Sequence, residues 1–185
     1  LGVLERDKPQ PPLTLQVPEA GLDLEILVEP LGRVNYGPHL ADRKGLIGGV
    51  RPDHQVQFGW EHRVLPLDDL SELSRISEVS QSSRVGTQGP AFHRATVTLP
   101  EPADAFLAVP STTRSLVWLN GFLLGRLWDR GPQVSLYAPA PLWRPGDNEL
   151  IVLALEPGED PASSLDIELR DEPDEIPAFV HAGEA

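Results

Sequence analysis

The stretch from Leu116 to Tyr137 reads LVWLNGFLLGRLWDRGPQVSLY. An apolar run stops at Asn120-Gly121, restarts at once, and is interrupted again at Gly131-Pro132. Asn-Gly between two apolar runs is typical of a β-hairpin, because both central residues of a type I′ turn need positive φ. The stretch therefore predicts antiparallel strands over Leu116–Leu119 and Phe122–Leu124, followed by a loop and a further strand.

The same pattern recurs outside this stretch. In the segment LWRPGDNELIVLALE, residues 145–148 (PGDN) predict a turn and the apolar run Leu150–Leu155 predicts a buried strand. Alternating or apolar runs predict further strands at 13–17, 22–29, 45–50, 55–60, 92–99, 105–109, 134–137 and 165–169. With 20 prolines and 16 glycines among 185 residues, the sequence favours short strands over long helices, and the predicted class is all-β.

Two blocks of sequence resemble one known family. Residues 117–153, VWLNGFLLGRLWDRGPQVSLYAPAPLWRPGDNELIVL, resemble the last jelly-roll domain of the family 35 glycoside hydrolases, the retaining β-galactosidases. Residues 26–50, ILVEPLGRVNYGPHLADRKGLIGGV, are similar to the segment that closes the preceding β-domain in that family. The resemblance implies a galactose-binding-domain-like jelly-roll β-sandwich preceded by part of a second β-domain.

The resemblance and the composition together predict the domain organisation. Residues 1–57 would be the C-terminal portion of a first, incomplete β-domain, and residues 58–172 the jelly-roll domain. Residues 67–90 are serine-rich and predict a polar linker that starts with a short amphipathic helix, because apolar residues recur there every three positions (Leu67, Leu70, Leu73, Ile76 and Val79). Residues 173–185 predict a flexible tail.

Charge and composition exclude several functions. The chain carries 28 acidic and 15 basic residues, and its net charge of -13 disfavours nucleic acid and anionic membrane surfaces as partners. It has no cysteine, which removes disulfides, thiolate ligands and thiol nucleophiles. No apolar run has the length of a membrane span and the start does not resemble a signal peptide, so we expect a cytoplasmic location.

No catalytic residue is predicted in this chain. Retaining glycosidases use two carboxylates about 5 Å apart, and the resemblance implies that both lie on a (β/α)8 barrel that this sequence lacks. The five histidines do not have the spacing of a zinc site, so no metal and no cofactor is expected. The chain is therefore expected to be inactive alone.

Three residues are candidates for substrate binding. Tyr36 and Arg33 lie on a glycine-flanked loop that the resemblance brings near the mouth of the barrel, where an aromatic ring can stack on a sugar. Trp128 follows Gly125-Arg126 at a strand end and can meet a sugar or a neighbouring domain. The alternative is that Tyr36 packs its loop, that Arg33 pairs with a nearby carboxylate, and that all four tryptophans serve as core or domain contacts.

Two functional hypotheses follow. The first is a non-catalytic region of a β-galactosidase, an enzyme that removes terminal non-reducing β-D-galactose residues, in which this chain supports the barrel and contacts the substrate. The second is a free-standing carbohydrate-binding module for galactosides. The expected partners are the catalytic barrel, as a domain or as a separate chain, a galactoside, and a second copy in a homo-oligomer.

Overall fold

A computed structural model describes residues 2–5, 10–30, 32, 35–71, 73, 89–129, 131, 134–156 and 166–173. The chain divides into two compact units, Gly2–Leu65 and Pro66–Ala185. The boundary expected from the sequence, between residues 57 and 58, lies a few residues earlier, in the same extended segment. The second unit contains all the described strands and is a β-sandwich.

The sandwich is built from two antiparallel sheets. The larger sheet has the strand order β1-β6-β3-β4 and the smaller sheet the order β5-β2-β7. The strands are β1 (Ala91–Leu99), β2 (Ala105–Ala108), β3 (Arg114–Leu119), β4 (Phe122–Trp128), β5 (Leu136–Ala138), β6 (Gly146–Glu156) and β7 (Glu168–Arg170). The predicted all-β class and jelly-roll sandwich are confirmed, although the short strands β5 and β7 start two and three residues after their predicted starts.

The hairpin between β3 and β4 has the predicted turn. Asn120 and Gly121 both have positive φ, 50° and 83°, as a type I′ turn requires, and Leu119 pairs with Phe122 on either side of them. The register shifts between Val117 and Trp118, where a β-bulge lengthens β4 relative to β3. The hairpin therefore places β4 at one edge of the larger sheet.

The core between the two sheets comes from the alternation of side chains along the strands. Leu150 and Val152 of β6 are fully buried on the inner face, together with Val117 and Leu119 of β3. Leu107 of β2 closes this core from the smaller sheet. Each fully buried aliphatic side chain contributes about 2 kcal/mol, so the sandwich is held mainly by this layer.

The outer face of the larger sheet is also apolar. Trp118 of β3 and Ile151 of β6 form a second cluster there with Leu153. Leu67, Leu70 and Leu73, the evenly spaced leucines of the predicted helix, pack on this cluster, and Ser71 and Leu73 have helical geometry. The three leucines therefore pack on the sheet as an amphipathic face should, whereas residues 74–88 of the predicted linker lie outside the described residues.

The first unit differs from its prediction. Its four predicted strands, at 13–17, 22–29, 45–50 and 55–60, are extended or turn segments without ladder partners among the described residues. A β-strand forms only when its backbone is hydrogen-bonded to a neighbouring strand. The alternation of apolar residues along the sequence does not show whether such a neighbour is present. The side chains that would have faced a core are consequently exposed, as Val17 is to 65% and Leu27 to 55%. A 3-10 helix at Pro52–His54 is the regular element described in this unit.

Gly121→Ala should lower the free energy of unfolding of the sandwich by about 1 kcal/mol, because alanine is strained at positive φ. No atom lies within 4 Å of the position that a Cβ would take, so backbone strain is the sole expected cost. Gly121→Asn is the matched control and should cost roughly half as much, since asparagine tolerates the left-handed region better. Urea unfolding measures both, and equal stability of the two variants would contradict the turn assignment.

Stability should also depend on the protonation of His93. Burial lowers the pKa of this imidazole below its ordinary value of 6.5. The unfolded chain therefore binds a proton on His93 more tightly than the folded chain does. The stability that the neutral imidazole contributes is fully present above the pKa of the unfolded state, and it is lost as the pH falls from there through the pKa of the folded state. We expect Tm to fall as the pH is lowered through the ordinary imidazole pKa of 6.5, and to fall less in His93→Gln. Identical slopes in circular-dichroism melts would exclude His93 as the cause.

Candidate functional site

The side chain of Asn120 ties the hairpin tip to two other elements. Its Nδ2 group donates to the carbonyl of Leu142 and to Oδ1 of Asn148, both at 2.8 Å, and its Oδ1 accepts the backbone N–H of Glu149 at 3.0 Å. The backbone N–H of Asn120 donates to the carbonyl of Glu149 at 2.8 Å. The turn residue therefore fixes the hairpin to the start of β6 and to the 3-10 helix Ala140–Leu142.

Asn148 is the buried centre of this network, with 0% exposure. Its Oδ1 accepts the backbone N–H of Arg144 at 2.8 Å. Its Nδ2 donates to the carbonyls of Arg144 and Gly146, at 2.9 and 3.0 Å. One amide thus satisfies backbone groups on both sides of the turn before β6 and holds this loop rigid.

An open depression of about 330 Å³ lies beside this junction. Three of its side chains are acidic and one, that of Arg144, is basic. Its lining residues are Asp68, Asp69, Leu70, Ser71, Asn120, Gly121, Arg144, Glu149 and Ile151. The depression is therefore formed where the leucine-bearing segment crosses the end of the larger sheet.

Two of the three carboxylates of the depression, Asp69 and Glu149, have structural partners. Glu149 forms an ion pair with Arg94 of β1 at 2.5 Å. Asp69 accepts the backbone N–H of Ser71 at 2.9 Å, and this bond, with a second one to the Ser71 side chain, lowers the pKa of Asp69. A glycosidase acid needs the opposite shift, a raised pKa that keeps the carboxyl protonated. Asp69 and Glu149 therefore do not have the character of a catalytic pair.

Trp128 lies at the opposite end of the β3–β4 hairpin, in contact with charged groups. The guanidinium of Arg114 lies 5.2 Å from the centre of the indole ring, and its Nη2 is 2.6 Å from Oε1 of Glu156. Oε2 of Glu156 accepts a bond from Thr113 at 3.1 Å. Arg114 therefore packs over Trp128, while the predicted contact of this tryptophan with a sugar stays a prediction.

The other two predicted binding residues belong to the first unit. Tyr36 is 88% exposed on the loop that the sequence pointed to, and Arg33 lies outside the described residues. Tyr36 and Trp128 thus belong to different units, Gly2–Leu65 and Pro66–Ala185. Their assignment to one sugar site rests on the sequence resemblance.

The sequence analysis missed Asn148 and Arg144. Both lie in or beside the turn PGDN, where an asparagine is expected to be exposed and to cap its own turn. Its burial depends on Asn120, 28 residues away, which no local pattern reveals. The sequence feature that could have indicated it is the position of the polar Asn148 just before the apolar run Leu150–Leu155.

Among the described residues, no three histidine, aspartate or glutamate side chains are grouped so that they could hold a metal ion. Within the same part of the chain, no helix is long and apolar enough to cross a membrane.

The fold and the comparisons agree on the class of protein. The second unit is an antiparallel sandwich, and the family profile described as "Beta-galactosidase, galactose-binding domain" matches residues 90–148 of it. The profile described as "Beta-galactosidase, first all-beta domain" matches residues 1–68. The chain is thus an all-β pair of domains of the kind that accompanies a glycosidase.

Individual relatives give the same result. The chain is 30% identical to beta-galactosidase 8 of Oryza sativa subsp. japonica over 94% of its own length and 30% of that protein. It is 36% identical to the beta-galactosidase of Xanthomonas manihotis over 74% of its length and 22% of the relative. For the human beta-galactosidase the figures are 34%, 91% and 27%.

The chain belongs to the β-galactosidase family, and the resemblance seen in the sequence is confirmed. It spans less than a third of the length of the relatives it matches. The matched part consists of the two β-domains.

Asn148→Ala should lower the free energy of unfolding by about 2 kcal/mol, because it removes a fully buried amide and leaves the Arg144 N–H and two nearby carbonyls without these bonds at a part-buried site. Thr98→Ala is the matched control. It removes an exposed 2.6 Å bond to the adjacent Asp147 and should change stability by less than about 0.5 kcal/mol. Urea unfolding measures both variants. A similar loss of unfolding free energy in each would show that the buried amide of Asn148 contributes no more than an exposed hydrogen bond.

Proposed function

We propose that the chain is the non-catalytic β-domain portion of a β-galactosidase, which as a whole removes terminal non-reducing β-D-galactose residues. The observation that supports this most directly is the match of residues 1–68 and 90–148 to two β-domains of that enzyme, one after the other. The chain covers 22 to 30% of three such relatives, which leaves most of the enzyme to other sequence. The catalytic barrel is then its principal partner.

The carboxylates of the sandwich support the non-catalytic assignment. A retaining mechanism needs a nucleophile and an acid about 5 Å apart at a cavity that admits the sugar. At the depression of the second unit, Glu149 is paired with Arg94 and Asp69 caps the segment that starts at Ser71. Both are therefore committed to holding the fold, and the catalytic pair is assigned to the barrel.

The first unit supplies the contact surface for that barrel. Its described residues expose large apolar side chains, among them Phe58 and Val64, each to 87%. Such a collection is unusual for a surface in water and is typical of an interface. Tyr36, exposed on its loop, and Arg33 are proposed to reach the galactoside from this side, and Trp128 to meet sugar or a neighbouring domain.

The test is incubation of the purified chain with lactose, with free galactose followed by proton NMR and folding followed by amide-correlation spectra. We expect no galactose to form while the peaks of the sandwich stay dispersed, because the proposal assigns the catalytic pair to the barrel. A retaining β-galactosidase under the same conditions is the positive control. Galactose released by the chain in proportion to its concentration would overturn the proposal.

A further inference from the structure

Asn120-Gly121 is a chemically labile pair at the tip of the β3–β4 hairpin. Asparagine is thermolabile, because its side-chain amide can be attacked by the backbone nitrogen of the next residue. The attack is least hindered when that residue is glycine, which has no Cβ. Gly121 is exposed, and no atom lies within 4 Å of the position that its Cβ would take. Of the three asparagines in the sequence, Asn120 is the one that glycine follows.

The reaction at this pair has two steps and needs only water. The backbone nitrogen of Gly121 gives up its proton and bonds to Cγ of Asn120. The Cγ–Nδ2 bond then breaks, and Nδ2 leaves as ammonia after taking up a proton, so that a cyclic succinimide remains. Water adds to one of the two succinimide carbonyl carbons and opens the ring, which leaves aspartate or isoaspartate at position 120.

The folded sandwich opposes the closure of this ring. Both polar atoms of the Asn120 amide are bonded to other groups: Nδ2 donates to the carbonyl of Leu142 and to Oδ1 of Asn148, each at 2.8 Å, and Oδ1 accepts the backbone N–H of Glu149 at 3.0 Å. Cγ can therefore bond to the Gly121 nitrogen only when the amide leaves these partners. The rate of the reaction should follow the small population of opened molecules.

Deamidation would reverse the hydrogen-bonding character of the junction. The Nδ2 group donates two bonds, whereas the carboxylate oxygen that replaces it donates none. That oxygen would face two acceptors, the Leu142 carbonyl and Oδ1 of Asn148. Asn148 cannot compensate by turning its amide over, because its Oδ1 accepts the N–H of Arg144 while its Nδ2 donates to the carbonyls of Arg144 and Gly146.

We propose that Asn120-Gly121 is a site of spontaneous deamidation that folding suppresses, and that its products cannot rebuild the junction between the hairpin tip and β6. Isoaspartate also adds a backbone carbon to the turn that joins the paired residues Leu119 and Phe122. Opening of the sandwich thus becomes irreversible in those molecules that react before they close. The reaction uses only water and groups of this chain, so the site does not depend on the proposed function.

The experiment compares the full chain in mildly alkaline buffer with and without guanidinium chloride, followed by peptide mass spectrometry. Cleavage after arginine yields Ser115–Arg126, which contains one asparagine and no glutamine, so a mass gain of this peptide reports Asn120 alone. We expect its deamidation to be more than about tenfold faster in the denaturant, where every molecule is open. In the denaturant, Asn35 is the internal control and should react several-fold more slowly, because Tyr36 follows it.

Variants should change the rate in opposite directions. In buffer, Asn148→Ala should accelerate the deamidation of Asn120 by about tenfold, because it weakens the junction and raises the population of opened molecules. Thr98→Ala is the matched control and should change this rate by less than about twofold. In guanidinium chloride, Gly121→Ala should slow the reaction several-fold, because the added Cβ hinders the attack.

Refolding shows whether the products can rebuild the junction. A partly deamidated sample is diluted from guanidinium chloride, and the folded and unfolded molecules are separated by size exclusion. Deamidated Ser115–Arg126 should be depleted from the folded fraction, and Asn120→Asp should unfold at a lower urea concentration than the unsubstituted chain. Equal rates with and without denaturant, a rate at Asn120 no higher than at Asn35, or equal shares of deamidated peptide in both fractions would each overturn the proposal.

Discussion

Burial of strand β6 on both of its faces is the constraint on which the rest of the sandwich depends. Leu150 and Val152 require a layer on one side and Ile151 and Leu153 require one on the other. The smaller sheet supplies the first layer, and the segment bearing Leu67, Leu70 and Leu73 supplies the second. A strand that is apolar on both faces is more typical of parallel sheets, which are covered on both sides. In an antiparallel sheet, the second apolar face of such a strand has to be buried by a segment that does not belong to the sheet.

That cover explains where the junction and the depression lie. The leucine-bearing segment crosses the larger sheet and ends its crossing beside the hairpin tip, where Asn120 and Asn148 hold the turns together. The polar network consists of the two asparagine amides and the backbone groups around them. A buried amide of this kind specifies one arrangement of the loops, because any other arrangement would leave its donor and acceptor atoms without partners. The depression is then a consequence of packing, and its carboxylates stabilise the fold.

Local chemistry made most of the sandwich predictable. Asn120-Gly121 fixed the hairpin because few residues tolerate positive φ, and the apolar runs located β1, β3 and β6 to within a few residues. The first unit was not predictable in the same way. Alternating residues between 13 and 29 indicate that a strand can form, but pairing depends on a neighbour that a one-dimensional pattern does not contain.

The candidate site follows the same division. Tyr36 and Trp128 are aromatic residues close to glycines in the sequence. Nearby glycines indicate that a residue lies on a loop or at a strand end, but they do not indicate that two such residues share one surface. The pairing of Phe106 with Tyr137 and with Arg170 could not be predicted from the sequence, because these residues are more than 60 positions apart at their extremes and become neighbours only through strand register.

The tryptophans show why register, and not residue type, decides which aromatic rings can meet a ligand. Trp118 lies on the outer face of the larger sheet, yet the leucine-bearing segment covers it to 1% exposure. Trp143 is buried with its Nε1 bonded to the carbonyl of Ala138, so its polar atom is also committed. On the smaller sheet no such segment is described, and the same type of outward position leaves the Tyr137 ring half in water. The outward face of the larger sheet is thus covered by another segment of the chain, whereas among the described residues the outward ring of Tyr137 on the smaller sheet stays partly exposed.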